Sequence, residues 1–375
     1  MSQASSRLSF GWSRWLVMSL AGLLTAICAP AITVAEVRAQ DATLALPAPS
    51  ADPAQILEQD LTLKLAPDLY ADPAAAPAAA EGGAKPEGAK PGEAEKPKGH
   101  CPPLPLYNIE GTGGTLLVPM AYLVNCGWPG TSLSYPSVGY TIVRAGTKTV
   151  QEVHLSETLY RRIEIGYTLG TLDLGDFPRD VRRATGVDIG FQHVVVHNFN
   201  LRGMVIEEGK YNPAVTAGAT FKYNPDVQTI DRRLGGGVRA LGMARSNSVD
   251  YTLTASKTVI EPCFKRPVIV TGGIRFSEAA QLGYLGFGDT YRMTGEGSVV
   301  YLLTDWMAIA YEYRQKKNPY DTLGTLVGKE GAWQAVDLAF ILSDRLTLAV
   351  GWLCAGNVAN GRVDNGWGFQ LKFEF

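Results

Sequence analysis

The last ten residues of the chain sort their side chains by chemistry in strict alternation. Trp367, Phe369, Leu371, Phe373 and Phe375 fall on one face, and Gly368, Gln370, Lys372 and Glu374 on the other. Successive side chains of a strand point to opposite faces, so this segment is a strand with one greasy and one polar side. The same pattern recurs upstream. Leu346, Leu348, Val350 and Trp352 alternate with Thr347, Ala349 and Gly351, and Met307, Ile309, Tyr311 and Tyr313 alternate with Ala308, Ala310, Glu312 and Arg314. Ile163, Ile165, Tyr167 and Leu169 alternate with Glu164, Gly166, Thr168 and Gly170. The pattern returns in Val215 to Tyr223 and, with Ile269 as an exception, in Val268 to Phe276. Many two-sided strands leave two arrangements. Their apolar faces meet inside a sandwich, or they look outward from a closed barrel into hydrocarbon.

Three features favour the barrel. Leu302-Leu303-Thr304-Asp305-Trp306-Met307 and Ile341-Leu342-Ser343-Asp344-Arg345-Leu346 reverse the chain within a few residues, whereas Gln315 to Gly331 and Ala355 to Asn365 are long and polar. Short turns on one rim and long loops on the other mark an outer-membrane barrel. Aromatic residues cluster at strand ends: Trp306, Phe373 and Phe375 at the short-turn end, and Tyr313, Trp352 and Trp367 at the other. Such rings favour the two membrane interfaces. The chain also closes on Phe375, inside its last strand, as bacterial barrels do when they present a C-terminal signal to the barrel-assembly machinery. Counting back from there gives strands at 366–375, 346–354, 332–342, 306–315, 296–304, 267–276, 249–260, 214–223, 193–207, 161–172, 149–159 and 137–145. The fold class expected is therefore all-β, an antiparallel up-and-down transmembrane barrel of about twelve strands, within a range of twelve to fourteen. Thr115 to Val124 is also strand-like and would break the parity. It enters the lumen as a plug, or it pairs with a further strand around Gly237 to Ala244.

The first hundred residues read as an address and a spacer. Arg7 and Arg14 precede the apolar stretch Trp15 to Ala29, followed by small-residue sites that place signal-peptide cleavage near Ala35 or Ala39. Residues 1–39 are thus an export signal, and 40–100 a tether. Ala71 to Gly99 is almost wholly Ala, Pro, Gly, Glu and Lys, too poor in large apolar groups to offset the entropy of ordering. Residues 101–375 form the barrel region. Past the signal no apolar run is long enough for a membrane helix. Lys and Arg total 34 against 36 Asp and Glu, for a net charge of −2, which argues against nucleic acid as a partner. The partners expected are outer-membrane lipid, the assembly machinery and, through the tether, the cell wall. Of the cysteines left after export, Cys101 and Cys126 are the closest pair in sequence and the candidate disulfide.

The inward faces carry the candidate functional residues. Alternation assigns Arg202, Lys222, Arg275, Arg314 and Lys372 as basic positions, and Glu152, Glu164, Asp250, Glu312 and Glu374 as acidic ones. Balanced signs exclude strong ion selectivity from net charge. These groups either line a watery passage or pair across a narrow lumen and close it. The small inward residues Gly166, Gly170, Ala308, Gly351 and Gly368 tilt the reading toward open space. His193 and His197 lie on a strand with no further ligand nearby, so they read as rim or belt residues rather than a metal site. His154 stands between Glu152 and Ser156 on one face, but residues two apart in a strand are nearly 7 Å from each other, too far for a direct relay. No Gly-x-Ser-x-Gly elbow and no phosphate-binding Gly-Lys-Ser/Thr motif is present. Gly235-Gly236-Gly237, after Arg232-Arg233, reads as a loop. The expectation is no enzyme, no metal and no cofactor.

The second half resembles a bacterial domain-of-unknown-function family of porin-like outer-membrane barrels. The residues that carry the resemblance are Leu282-Gly283-Tyr284-Leu285-Gly286-Phe287-Gly288-Asp289, Leu302-Leu303-Thr304-Asp305, Tyr311-Glu312-Tyr313-Arg314-Gln315-Lys316, and Gly351 to Asn357 with Gly366-Trp367. Pro213 to Tyr223 extends it more weakly. The resemblance implies a barrel in the outer membrane and supplies no catalytic residue or substrate. The function expected is a passive porin-like channel for small solutes; the alternative is a structural or adhesion barrel with a closed lumen, anchored to the cell wall through its tether.

Overall fold

A computed structural model describes residues 104–125, 132–243, 245–260 and 265–375. The stretches read as signal and tether, and both Cys101 and Cys126, lie outside the described residues. Cys354 is disulfide-bonded.

Twelve strands form one closed barrel. In chain order they are β1 (Ser137–Ala145), β2 (Lys148–Leu159), β3 (Ile163–Asp173), β4 (His193–Ile206), β5 (Ala214–Tyr223) and β6 (Asn247–Val259). They continue as β7 (Val268–Ala279), β8 (Phe287–Leu302), β9 (Met307–Arg314), β10 (Trp333–Ile341), β11 (Leu346–Cys354) and β12 (Gly366–Glu374). Each strand pairs antiparallel with the next, and β12 closes on β1 in register from Gly366–Ala145 to Glu374–Ser137. Closure leaves no unpaired edge, the condition for a sheet to cross lipid.

Alternation fixes which side faces what. Along β6 Tyr251 and Leu253 are exposed while Asp250 and Thr254 are buried, and along β4 Phe199 and Leu201 are exposed while Asn198, Asn200 and Arg202 are buried. The apolar side chains point out and the polar ones point in, the inverse of a soluble domain and the arrangement of an outer-membrane barrel. Ile309 is cross-strand partner to Leu338, Leu338 to Val350, and Val350 to Phe369, so these residues form a continuous outward belt rather than a dry centre. We predict that Val350→Arg, on this belt, destabilises the bilayer-inserted barrel by about 2–4 kcal/mol if it lies near the midplane. Denaturant titration of barrels folded into vesicles checks this; a change below about 1 kcal/mol, the interfacial value, would move Val350 away from the hydrocarbon centre.

The rims differ as the turn lengths require. At one rim residues 303–306 and 342–345 make tight reversals. At the other, the β3–β4 connection carries helix α1 (Phe177–Thr185), and the β5–β6 connection carries α2 (Val227–Arg233) and α3 (Gly237–Ala240). The stretch from Gly237 is therefore helical and supplies no extra strand. The β1–β2 connection also departs from the pattern: it lies on the long-loop rim but is a tight turn, with Gly146 at φ 65°, a conformation that favours glycine.

Residues 104–125 do not join the wall. Apart from a two-strand pairing of Leu106–Tyr107 with Gly113–Gly114, they run irregularly inside the barrel, and most are buried. Of the two readings of Thr115 to Val124, the structure has the plug.

Candidate functional site

The plug exposes backbone polar groups in the middle of a membrane protein, and each needs a partner. The wall supplies them through side chains. Gln370 of β12 acts as a surrogate strand: its Oε1 accepts from the Tyr107 N–H at 3.1 Å and its Nε2 donates to the Tyr107 carbonyl at 2.7 Å. Lys372, one inward position further on, donates to the carbonyls of Pro105 and Val124 at 2.7 and 2.6 Å, holding both ends of the plug. Glu312 accepts the N–H groups of Leu117 and Val118 at 2.9 and 2.7 Å and the Thr115 hydroxyl. Glu164 accepts from the Val124 N–H at 2.6 Å and pairs with Arg202 at 3.2 Å, while Arg202 donates to the carbonyls of Gly113 and Met120. Charge-assisted hydrogen bonds of this kind are the stronger class.

At the centre stands a plug carboxylate that alternation of the wall could not reveal. Glu110 is ion-paired with Arg275 at 3.0 Å, with Arg314 at 2.8 Å and with Lys222. Lys222 also meets Asp250 at 2.8 Å, and Arg275 meets Glu296 at 3.2 Å. Three cations thus face three anions, all almost fully buried. Desolvation offsets much of the Coulomb attraction in such a network, whereas removing one partner leaves an uncompensated buried charge. The Asn108 side chain accepts from the N–H groups of Glu110 and Thr112, bending the chain so that Glu110 reaches these partners.

The inward glycines serve this packing. A Cβ at Gly351 or Gly368 would lie 2.9 Å from Leu116 Cδ2, and one at Gly139 would lie 2.5 Å from the Tyr107 ring. The reading of Gly351 and Gly368 as open space is corrected: they make room for the plug. Gly170 does the same for Tyr284, whose hydroxyl would be 2.2 Å from an added Cβ.

Tyr284 belongs to a second obstruction. Residues 280–286, between β7 and β8, fold inward at the long-loop rim. Their carbonyls at Gly283 and Tyr284 accept from Asn224 Nδ2 at 2.9 and 3.0 Å, and the Tyr284 hydroxyl donates to Glu152 at 3.1 Å. Gln281 and Leu282 take φ of 47° and 65° without being glycine. Such strain persists where surroundings over-determine it, here through Glu330 accepting the Gln281 N–H at 2.7 Å and the Asn357 carbonyl accepting its side chain at 3.1 Å. The Leu282–Asp289 motif noted in the sequence forms this strap and the start of β8.

The remaining sequence candidates fall as follows. Glu374 is beside Lys372. His154 is stacked on Tyr107 with ring centroids 4.8 Å apart and is hydrogen-bonded to Thr141 and Thr168. Its Nε2 is 3.9 Å from Glu152, closer than backbone spacing alone suggests because both side chains lean along the strand. Ser156 is hydrogen-bonded to the Tyr107 hydroxyl at 2.7 Å, and no hydrogen bond joins it to His154 among the described residues. His197 faces outward, hydrogen-bonded to Tyr167 at 2.8 Å and stacked on Tyr223, while His193 opens β4 at the long-loop rim. Trp352 and Trp367 are cross-strand partners near that rim, with Tyr313 outward on β9. Trp306 is exposed at the opposite rim, where Phe373 and Phe375 make an edge contact at 5.1 Å. Among the described residues no group of three or more His, Cys, Asp or Glu is placed to hold a metal.

Near the short-turn rim Tyr122 of the plug donates to Glu208 at 2.5 Å, and the Thr258 N–H donates to the same carboxylate at 2.8 Å. Glu208 lies in the turn between β4 and β5. Partial burial raises its pKa, but hydrogen bonds from Tyr122, Thr258 and Lys257 outweigh this and hold it below the usual value. A carboxyl with a lowered folded-state pKa contributes its stabilisation above the ordinary carboxylate range and loses it as pH falls through its own lower value. We predict that the plug end around Tyr122 loosens as pH falls below the ordinary carboxylate range. Amide exchange at Ala121 to Leu123, corrected for the intrinsic rate, reads this, and Glu208→Gln should remove the pH dependence. A variant with the wild-type profile would show that another group controls this end.

A closed antiparallel cylinder with an apolar exterior, a charged lumen and a segment folded inside it defines a plugged outer-membrane β-barrel. The chain belongs to the family described as "Protein of unknown function (DUF3034)", whose model matches residues 105–372, plug and wall together. A search of the curated proteins found no match. Among solved structures, the chain is similar to the NanC porin, at 10% identity and TM-score 0.39, covering 64% of this chain and 98% of that one. It is similar also to the outer membrane protein Omp33 of Acinetobacter baumannii, at 7% identity and TM-score 0.36, covering 64% and 98%. A third is outer membrane phospholipase A from Escherichia coli, at 7% identity and TM-score 0.31, covering 64% and 92%.

Proposed function

We propose that the protein is an outer-membrane channel for small hydrophilic solutes, held shut by residues 104–125 and opened when they leave the lumen. The observation that carries this reading is the use made of the inward charges. Glu164, Arg202, Glu312, Arg314 and Lys372 engage the plug, many through its backbone, so its departure leaves a hydratable wall of both signs. A barrel filled for structure alone would need no such replaceable lining. Short turns face the periplasm in outer-membrane barrels, so the plug, with residues 40–100 before it in sequence, enters from that side. On this reading the Trp306, Phe373 and Phe375 group and the Tyr313, Trp352 and Trp367 group are the two interfacial girdles, and the strand ending in Phe375 engages the assembly machinery.

The alternative, a closed barrel anchored to the cell wall through its tether, is favoured by the strap at residues 280–286, which narrows the lumen independently of the plug. A lock separates the two. The Leu116→Cys/Gly368→Cys pair should crosslink plug to wall, since Leu116 packs over Gly368. Proteoliposomes with the oxidised pair should admit no sugar, and reduction should restore flux to that of reduced wild-type protein. Equal impermeability of the locked pair, its reduced form and a barrel lacking residues 104–125 would favour the structural role.

A further inference from the structure

Below the charged ring, toward the short-turn rim, the lumen changes character. On β9 the inward residues run Arg314, Glu312, Ala310, Ala308, and on β8 they run Glu296, Ser298, Val300, Leu302, from charged to apolar in both cases. Ile269, the residue that broke the alternation of β7, falls on this apolar patch. Between it and the plug lies a cavity of about 710 Å³, bounded on the wall by Val300, Ala308, Ala310, Ala339 and Ala349 and on the plug by Leu116 and Met120. Its size is that of a ligand site. Barrel interiors are ordinarily polar, and an apolar cavity takes an apolar guest more readily than water. The alanines leave the space open where larger side chains would fill it.

The lining also includes Thr115 and Gln370, Arg161, Glu207 and Glu208 toward the short-turn rim, and the carboxyl of Asp337. Asp337 of β10 lines the cavity and is 4% exposed, its carboxyl lies against that of Glu312 and near the Leu116 backbone, and among the described residues no ion pair joins it to a cation. Its neighbour Glu312 is engaged with the plug, and the cations of the ring are engaged with Glu110, Asp250 and Glu296. Two buried carboxyl groups side by side call for a shared proton or a positive charge between them.

We propose that this compartment binds a small amphiphilic amine, its apolar body against Ala308, Ala310 and Ala349 and its ammonium group on Asp337. Because the plug forms one side of the site, the amine binds the plugged barrel and stabilises it over the open one. The site stands whether or not the barrel conducts, since binding is measured without flux.

The test is calorimetric titration of the full chain in lipid nanodiscs with octylamine, octanol and octanoate, against empty nanodiscs. Expected are a saturable site for octylamine and at least about tenfold weaker binding of octanoate. Asp337→Asn should weaken octylamine by about tenfold or more while leaving octanol unchanged. Ala310→Phe and Ala349→Phe, each verified as folded by heat-modifiable gel migration, should abolish binding of all three. No saturable binding, equal binding of amine and carboxylate, or binding indifferent to both phenylalanines would overturn the proposal.

Discussion

Deleting residues 104–125 should turn a quiet barrel into a conducting one. With the plug present the wall charges are engaged and the Leu116, Tyr107 and Glu110 side chains occupy the lumen. Without it, a twelve-strand barrel lies between those whose interiors are filled by side chains and the wide porins, and its conductance should rise at least about tenfold. Selectivity follows from the emptied wall. Arg202, Lys222, Arg275, Arg314 and Lys372 balance Glu152, Glu164, Asp250, Glu312 and Glu374, and the inward Glu296 and Asp337 then add two anions. The open pore should therefore prefer cations mildly, with a preference that fades as salt rises. Single-channel recording under a salt gradient gives both quantities. A folded, plug-deleted barrel that stays silent would leave the strap as a sufficient seal and would remove the channel reading.

Glu110→Ala should have the second-largest effect. It removes one anion from a buried set of three cations and three anions, leaving Lys222, Arg275 and Arg314 to Asp250 and Glu296. Breaking one partner of a buried ion pair costs about 3–5 kcal/mol, which is roughly two to four orders of magnitude in the equilibrium between seated and unseated plug. The wall strands keep their pairing, so the variant should remain heat-modifiable while the plug becomes accessible to protease. Glu110→Gln, which retains the shape, should have a smaller effect. If both variants keep the plug protected, the hydrogen bonds from Gln370, Glu312 and Lys372 suffice to seat it.

The wall was legible in the sequence because its physics is local. Period-two alternation marked all twelve strands, and 214–223 and 346–354 coincide with β5 and β11. The reading failed where alternation stops: β8 begins at Phe287 rather than 296, because Phe287 to Gly295 mixes polar and apolar residues, buried at Phe287 and exposed at Tyr291 and Met293. Glu296 and Asp337 were within reach, since both lie in phase with inward neighbours on strands already marked. Glu110 was not. Its role depends on wall residues more than a hundred positions away in sequence, and its own surroundings, Asn108 to Gly114, carry no periodic signal. Small inward residues invited an open lumen because sequence shows the room that glycine leaves but not what occupies it.

Gln370 and Lys372 lie on β12, the last barrel strand in chain order, and they clasp the plug at Tyr107, Pro105 and Val124. The strand that sews the cylinder shut is thus also the latch for its stopper. Barrel closure and plug seating share one piece of hardware: a barrel awaiting its final strand lacks this grip on the segment within, so seating the plug and completing the fold arrive together.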